Sequence, residues 1–346
     1  MKFSTFLRTA KILFPLRYAA NAVFRSKAAD RAVNSILRDP PKGRELRRLK
    51  SDMIREKSLR LFTFEEYLLY RFQTLSKQER KKYVSDYERV YFIRKVNRAE
   101  NEQIFNDKAL TYQCFKKYYR REVVKVVKKD EETFNAFVSK HPRFIAKPID
   151  DSFGNGVRLF ETSPKWSDFS KEYRDGAVIE EVITQSEPLS RIHPQSVNTI
   201  RITTMRLDDD VKIFYPFMRV GCGNKVVDNG GAGGIICGID QSSGIVIYCK
   251  DEKGSEFLSH PDTGVQLIGM RIPRWKEAVE FAKELATVLP DNRYTGWDLA
   301  LTDDGWVMVE GNCLGQYIGC QMTHRTGVRP VLEKYYSALD IPLTIK

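Results

Sequence analysis

The spacing of apolar residues changes character along the chain, and the predicted elements change with it. Phe3, Phe6, Leu7, Ala10, Leu13 and Phe14 recur at helical spacing, with Lys2, Arg8 and Lys11 largely on the other face, until Pro15 interrupts the pattern. A basic amphipathic helix of this kind either packs its apolar face on the rest of the protein or lies on an anionic membrane surface. Asp39-Pro40-Pro41-Lys42-Gly43 is a break. From Arg44 to about Arg98 the chain reads as highly charged helix, with stretches such as Phe64 to Phe72 able to bury one face. From about Phe144 the texture turns to short β-rich runs separated by turn residues: Phe144–Ile149, Val157–Glu161, Ala177–Ile183, Thr199–Leu207, Val211–Val220, Gly244–Cys249, Gly296–Leu301 and Trp306–Glu310. A helix from Arg274 to Leu289 is bracketed by Pro273 and Pro290, and a last one covers Pro330 to Leu339.

Charge sharpens this division. The 346 residues suffice for two or three compact units, and 42% apolar with 29% charged residues describes a globular chain. The net charge of +12 is unevenly placed: the first hundred residues hold 25 Lys and Arg against 11 Asp and Glu, the remainder 32 against 34. An anionic partner, membrane lipid, lipid-linked phosphate or nucleic acid, therefore suits the N-terminal region alone. That region carries no zinc spacing, no aromatic RNA-binding signature and no helix-turn-helix, so no nucleic acid is expected. Six cysteines without a CxxC pair, and four histidines away from zinc-ligand spacing, argue against a disulfide framework or structural zinc and for a reducing cytoplasm. Arg8, Lys11 and Arg17 interrupt what a secretory signal would need, and no run approaches the roughly 18–20 apolar residues of a membrane span.

Three stretches carry candidate chemistry. In Phe144-Ile145-Ala146-Lys147-Pro148 a strand presents one lysine, and the small-residue loop Asp151-Ser152-Phe153-Gly154-Asn155-Gly156-Val157 follows. Glycines let backbone amides approach a phosphate and lysine supplies the matching charge, although a lysine beside a glycine-rich hairpin is also an ordinary surface feature. In Val178-Ile179-Glu180-Glu181-Val182-Ile183 two acids sit within an apolar strand; taken alone they read as the solvated face of an edge strand. The third stretch is Gly296 to Asn312. It reads as a β-hairpin turning at Asp303-Asp304-Gly305; centred on Asp304, the turn sets Asp298 opposite Glu310, with Ala300, Met308 and Asn312 on the same face. Opposed carboxylates about 4.5–5.5 Å apart at Cβ repel unless a cation lies between them, and hard oxygen ligands suit Mg²⁺. Arg201 and Arg219 lie in two β-rich runs that fold back at Asp208-Asp209-Asp210, and Asp228 to Gly234 is a glycine-rich loop.

In this order the pieces resemble the ATP-grasp superfamily over about Asn106 to Thr326, and most closely the sugar-transfer-associated group, through Ser196-Val197-Asn198-Thr199-Ile200-Arg201 and the loop from Val227 to Gly234. The resemblance implies an α+β fold, two lobes gripping ATP, behind a basic helical region over 1–100, with the first lobe over 101–185 and the second over 186–346. It implies that Lys108 and Lys147 bind phosphates, that Ser152, Gly154, Asn155, Gly156 and Val157 form the lid over them, and that Glu180, Glu181 and Val182 line adenine. Glu187 is the acid placed to follow as ribose ligand. Arg201 and Arg219, with Lys147, resemble the cations beside the transferred phosphoryl group, and Asp298, Glu310 and Asn312 resemble the magnesium triad. Asn198, Asp228, Asn229, Gly230, Gly231, Gly233 and Gly234 fall on the substrate side. Two departures stand out: Thr184 to Gln195 is longer than in compact ligases, and the basic helical segment replaces the usual N-terminal α/β domain, leaving the acceptor site unassigned.

The activity so implied is a carboxylate–amine ligase that uses ATP and Mg²⁺, two ions with Mn²⁺ as a substitute, to form an acyl phosphate and then an amide. The implied substrates are a small-molecule or sugar-linked carboxylate of a surface polysaccharide or capsule and an amine. The expected place is the cytoplasm, at the inner face of the membrane if the basic N-terminus meets anionic lipid or a lipid-linked glycan. The alternatives are an ATP-grasp phosphotransferase acting on a glycan hydroxyl and a non-catalytic nucleotide-binding module at the membrane.

Overall fold

The structure is a computed structural model and describes residues 26–149, 156–223 and 233–344. The N-terminal amphipathic pattern at 3–14, Ser152, Gly154 and Asn155 of the lid loop, and Asp228, Asn229, Gly230 and Gly231 lie outside the described residues.

The charged N-terminal region is helical, as its periodicity predicts, but broken into short pieces: α1 (26–36), α2 (Gly43–Arg60), α3 (Phe64–Leu69), α4 (Lys77–Lys81) and α5 (Asp86–Ile93). The breaks are written as capping boxes. Thr63 with Glu66, Ser76 with Glu79 and Ser85 with Glu88 each exchange side-chain and backbone hydrogen bonds at the start of α3, α4 and α5. Arg80 of α4 ties back to α2 through Asp52 at 2.7 Å and Glu56 at 3.0 Å.

Helices α6 (Asn101–Asn106) and α7 (Lys108–Tyr119) follow, then a four-stranded antiparallel sheet with β1 (Val123–Val126), β2 (Phe144–Pro148), β3 (Arg158–Phe160) and β4 (Ala177–Glu181) in the order β1-β4-β2-β3. Phe134 and Phe137 of α8 (Glu131–Lys140) and Phe169 of α9 (Trp166–Glu172) cover it, packing on Phe144, Ala146 and Ile179. The strand carrying Glu180 is therefore interior, not the edge strand that its two glutamates suggest in isolation. After α10 (Glu187–Ser190) come the strands of a six-stranded antiparallel sheet: β5 (Thr199–Arg206), β6 (Val211–Val220), β7 (Ile235–Ile239), β8 (Val246–Asp251), β9 (Tyr294–Thr302) and β10 (Gly305–Asn312), ordered β10-β9-β5-β6-β7-β8. Helix α11 (Trp275–Leu285) precedes β9, and α12 (Ile318–His324) and α13 (Arg329–Ala338) end the fold.

One face of the large sheet buries Ile200, Ile202, Leu299 and Met308 against α7 and α11. The other buries Phe214, Phe217 and Ile236 in one continuous core with Phe62, Phe64, Phe92 and residues of α12 and α13. The N-terminal helices thus complete the core of the second sheet. Strands β1 and β7 and helix α12 are not among the elements predicted from the sequence: the two strands are short and apolar on most positions, so no period of two shows, and α12 is seven residues of mixed polarity without a side-chain cap.

Candidate active site

The predicted hairpin forms, and the pairing Glu310↔Asp298 is present, but by a different route from the one expected. The turn is a tight two-residue one at Asp303-Asp304, closed by the pair Thr302↔Gly305 with Gly305 at φ +118°. That register runs to Met308↔Leu299; a bulge at Val309 then shifts it by one residue so that Glu310 meets Asp298 and Asn312 meets Gly296. The correction falls on Met308. It sits opposite Leu299, in the apolar core, and does not share the face of Asp298, Glu310 and Asn312.

The row continues across β5, where Arg201 is the partner of Asp298. Arg201 Nε lies 2.5 Å from Asp298 Oδ1 and Nη2 lies 2.7 Å from Oδ2. Arg219, on β6 and opposite Thr199, places Nη2 2.5 Å from Asp298 Oδ2. Asn312 Nδ2 is 3.4 Å from the same oxygen. A glycine at 296 makes room: a Cβ there would lie 3.1 Å from Arg201 Cδ. Asp298 is fully buried. Burial alone would push its pKa up, and the two guanidiniums overcome that and hold it below the usual carboxylate value.

Glu310, its neighbour in the row, moves the opposite way. Solvent reaches the side chain, but protein surrounds it on most sides. The resulting desolvation, and then the charge of Asp298, raise its pKa; Lys147, Arg219 and Arg201 draw it back only in part. Among the described residues its carboxylate accepts no hydrogen bond.

On the small sheet Glu180 is 6% exposed and is held between Lys147 Nζ at 2.7 Å and Arg121 Nη2 at 2.8 Å. Desolvation again works to raise its pKa, but Lys147 and Arg121 depress it to about 2. Arg121 also donates from Nη1 to Met308 O at 2.7 Å, at the edge of the bulge. A bulge leaves a ladder group without its strand partner, and this guanidinium supplies one from the other lobe. Arg121 escaped the sequence reading. Arg120-Arg121 closes a helix in a basic stretch and looks like solvated charge; only the apolar alternation of the following Val123-Val124-Lys125-Val126 hints that the pair stands at the edge of a sheet.

The other predicted residues distribute as follows. Lys108 starts α7 just after its N-cap Asp107 and donates to Pro148 O at 3.1 Å, one residue beyond Lys147. Gly156, at φ +68°, and Val157 lead into β3. Glu181 ends β4 with its backbone N–H bonded to Glu122 O at 3.0 Å, and Val182 follows, half-buried. Glu187 is exposed in the first turn of α10. The Asn198 amide is fully buried and donates to Leu189 O at 2.9 Å and His193 O at 3.3 Å, so it braces the 185–193 connection and does not open to a cleft. Gly233 and Gly234 lead into β7.

Among solved structures the chain is similar to PsnB, an ATP-grasp ligase seen with a minimal precursor, Mg and ADP (13% identity, TM-score 0.44, covering 71% of this chain and 62% of that one). It is similar also to the D-alanine–D-alanine ligase of Helicobacter pylori (14%, 0.43, 72% and 62%) and to N5-carboxyaminoimidazole ribonucleotide synthetase with ADP (11%, 0.43, 69% and 53%). The chain spans less than two thirds of the length of each. No curated protein matches the sequence. The family profile described as sugar-transfer associated ATP-grasp matches residues 87–336, extending the resemblance seen from 106 to 326 at both ends and covering well over half of the molecule, and the chain belongs to this family.

Proposed function

We propose that the protein is an ATP-dependent carboxylate–amine ligase working through an acyl phosphate, on a small-molecule or sugar-linked acid. The observation that carries this reading is the pair of facing charge clusters. Among the described residues, Arg201, Arg219, Lys147 and Arg121 gather about the carboxylates Asp298, Glu180 and Glu310, and Glu310 forms no ion pair there. Such a surface has cations for a polyphosphate and an anion for its metal.

The donors fit Mg²⁺. Glu310 has both oxygens free of hydrogen bonds among the described residues, burial and then the charge of Asp298 raise its pKa, and Asn312 adds an amide oxygen beside it. Asp298 joins the set by sharing oxygens that Arg201 and Arg219 hold. When bound, the metal neutralises phosphate charge and orients the terminal phosphoryl group. The work of the chain's own groups is then definite. Lys147 leaves Glu180 for the phosphates, while Arg121 keeps Glu180 neutralised. Arg201 and Arg219 stabilise the charge on the phosphoryl group as a substrate carboxylate oxygen attacks the γ-phosphorus and the bond to ADP breaks. An amine then attacks the acyl carbon, giving an amide, phosphate and a proton. The backbone of Glu181 and Val182 lines the adenine, Glu187 takes the ribose, and the 228–234 loop covers the acyl phosphate.

Surface-polysaccharide substrates and contact of the basic N-terminus with anionic lipid or a lipid-linked glycan belong to the same proposal; among the described residues no helix is long and apolar enough to cross a membrane. The test is ADP release with Mg-ATP, hydroxylamine and pooled carboxylates, with Glu310→Ala as control. Hydroxamate that requires both the acid pool and Glu310 supports the ligase. A stable phosphorylated hydroxyl product without amine would replace it with a phosphotransferase.

A further inference from the structure

Away from the nucleotide cleft, the end of β6 meets the turn at 260–264, and three side chains with metal-binding atoms converge there. Cys222, His260 and Asp262 place one ligand atom each within 4.8 Å of one another. Cys222 Sγ and His260 Nε2 are 3.7 Å apart. That is long for a hydrogen bond, yet two ligands at the Zn–S and Zn–N lengths of about 2.3 and 2.0–2.1 Å, at a tetrahedral angle, stand about 3.5–3.6 Å apart. Asp262 uses Oδ2 to accept the N–H of Gly223 at 2.6 Å, which aims the carboxylate at the residue after Cys222 and leaves Oδ1 unengaged among the described residues. The backbone is already folded for this. The turn is closed by His260 N–H to Val265 O at 2.8 Å and Gly264 N–H to His260 O at 2.9 Å. A second histidine, His193, flanks the group, with its ring 5.5 Å from that of His260; it is engaged at both nitrogens, by Ser196 Oγ at 2.8 Å and Gly223 O at 2.7 Å.

From this geometry we infer that Cys222, His260 and Asp262 form a site for a borderline-soft divalent cation of the zinc class, with the fourth position open to solvent beside exposed Asp262. The donor set separates this site from the all-oxygen one in the cleft. A thiolate and an imidazole select zinc or cobalt over magnesium, and one thiolate plus one carboxylate balance the charge of a divalent ion. Binding releases the thiol proton. It exchanges the Nε2–H bond that His260 makes to Gly221 O, 2.8 Å long, for a metal–nitrogen bond; the imidazole proton moves to Nδ1, which gives up the 3.3 Å bond it accepts from Asp262 N–H, so that N–H turns away as the ion binds. The ion would fasten residues 221–223, just past β6, to the 260–264 turn. The inference is independent of the ligase reading, since no part of it involves ATP.

The test uses the full-length, untagged chain, with Co²⁺ as the spectroscopic probe and Zn²⁺ as competitor. The expected result is a sulfur-to-cobalt charge-transfer band at one equivalent, displaced by Zn²⁺ and untouched by millimolar Mg²⁺. The band should vanish in Cys222→Ser and persist in Cys114→Ser, which removes the exposed thiol elsewhere on the surface. Asp262→Asn should weaken binding by about tenfold or more. In thermal melts, Zn²⁺ should raise the Tm of the wild type and leave that of Cys222→Ser unchanged, while equal metal-free Tm values show that the variant keeps its fold. No thiolate band in the wild type overturns the site, whatever the variants do. So does a band that survives Cys222→Ser and disappears in Cys114→Ser.

Discussion

Two buried carboxylates, one on each sheet, are built to the same plan and differ in one respect. Glu180 in the small sheet and Asp298 in the large sheet are each almost or fully inaccessible, and each is gripped by two cations. Burial of a lone carboxylate is costly, and in both places the paired cations outweigh it, so both acids stay ionised. The difference lies next door. Asp298 has a third party in its row, Glu310, which no cation holds among the described residues and whose pKa moves up where that of Asp298 moves down. Glu180 has no such neighbour, but one of its two cations, Arg121, also reaches Met308 O of the opposite sheet. On the proposed function, the incomplete cluster is the one that would receive a cation; the other is complete and reaches the opposite sheet through Arg121, with Lys147 as the member that would leave it for the phosphates.

The sharpest way to break this comparison is to remove the incomplete carboxylate. Glu310→Gln keeps shape and removes a charge that no ion pair among the described residues uses, so ADP formation should fall by about a thousandfold or more while the melting curve barely moves. Turnover close to wild type in a metal-replete assay would sink the assignment of Glu310. Asp298→Ala should behave differently because its role is double. Two guanidiniums would be left buried without their anion, and breaking a buried pair from one side costs about 3–5 kcal/mol. Activity and stability should therefore fall together, and Asp298→Asn should recover part of the stability without the activity. Chemical denaturation of both variants decides it, and an Asp298→Ala protein as stable as the wild type would contradict the geometry.

These two clusters were not equally legible in the sequence. The pairing of Asp298 with Glu310 could be counted from the turn because strands have a period of two, and a pair of opposed acids in an apolar hairpin asks for a cation. The count reached the right pair with the wrong register: the two-residue turn and the bulge at Val309 compensate each other, and only Met308 reveals it by facing the core. Glu180, taken alone, reads as a solvated edge residue, since the strand that buries it, β1, is only four residues long, and one of the two cations that satisfy it comes from just past the end of α7. The breaks among the N-terminal helices stand in the sequence as three capping boxes, yet the shared core of those helices with the large sheet does not, because charge dominates the composition of the region. Cys222 and His260 are thirty-eight residues apart in the chain, beyond the reach of short metal-spacing patterns.

Arg121→Ala tests whether the complete cluster positions Lys147. The substitution leaves Met308 O without this donor and Glu180 with Lys147 as its one cation among the described residues, for a loss of about 2 kcal/mol in stability. Glu180 would then hold Lys147 more firmly. The KM for ATP should rise several-fold with kcat nearly unchanged, and Arg121→Lys should restore stability only in part because it cannot span both acceptors. A drop in kcat at constant KM would place Arg121 in the chemistry instead of behind it.

The smallest effect is confined to acid pH. The Glu180 pKa is about 2 in the folded chain against an ordinary value of 4.5. Because the folded value is depressed, the stabilisation is fully present above about pH 4.5 and is lost as the pH falls through that value toward about 2. By pH 3.5 the loss due to this one group should be about 1 kcal/mol. Glu180→Gln cannot take up that proton, so its stability, lower than wild type at neutral pH, should fall less steeply between pH 4.5 and 3.5. Urea unfolding of the two proteins at pH 7, 4.5 and 3.5 measures the convergence directly. Curves that stay parallel would mean that Glu180 titrates normally, and with it would go the argument that Lys147 and Arg121 grip it in the absence of nucleotide.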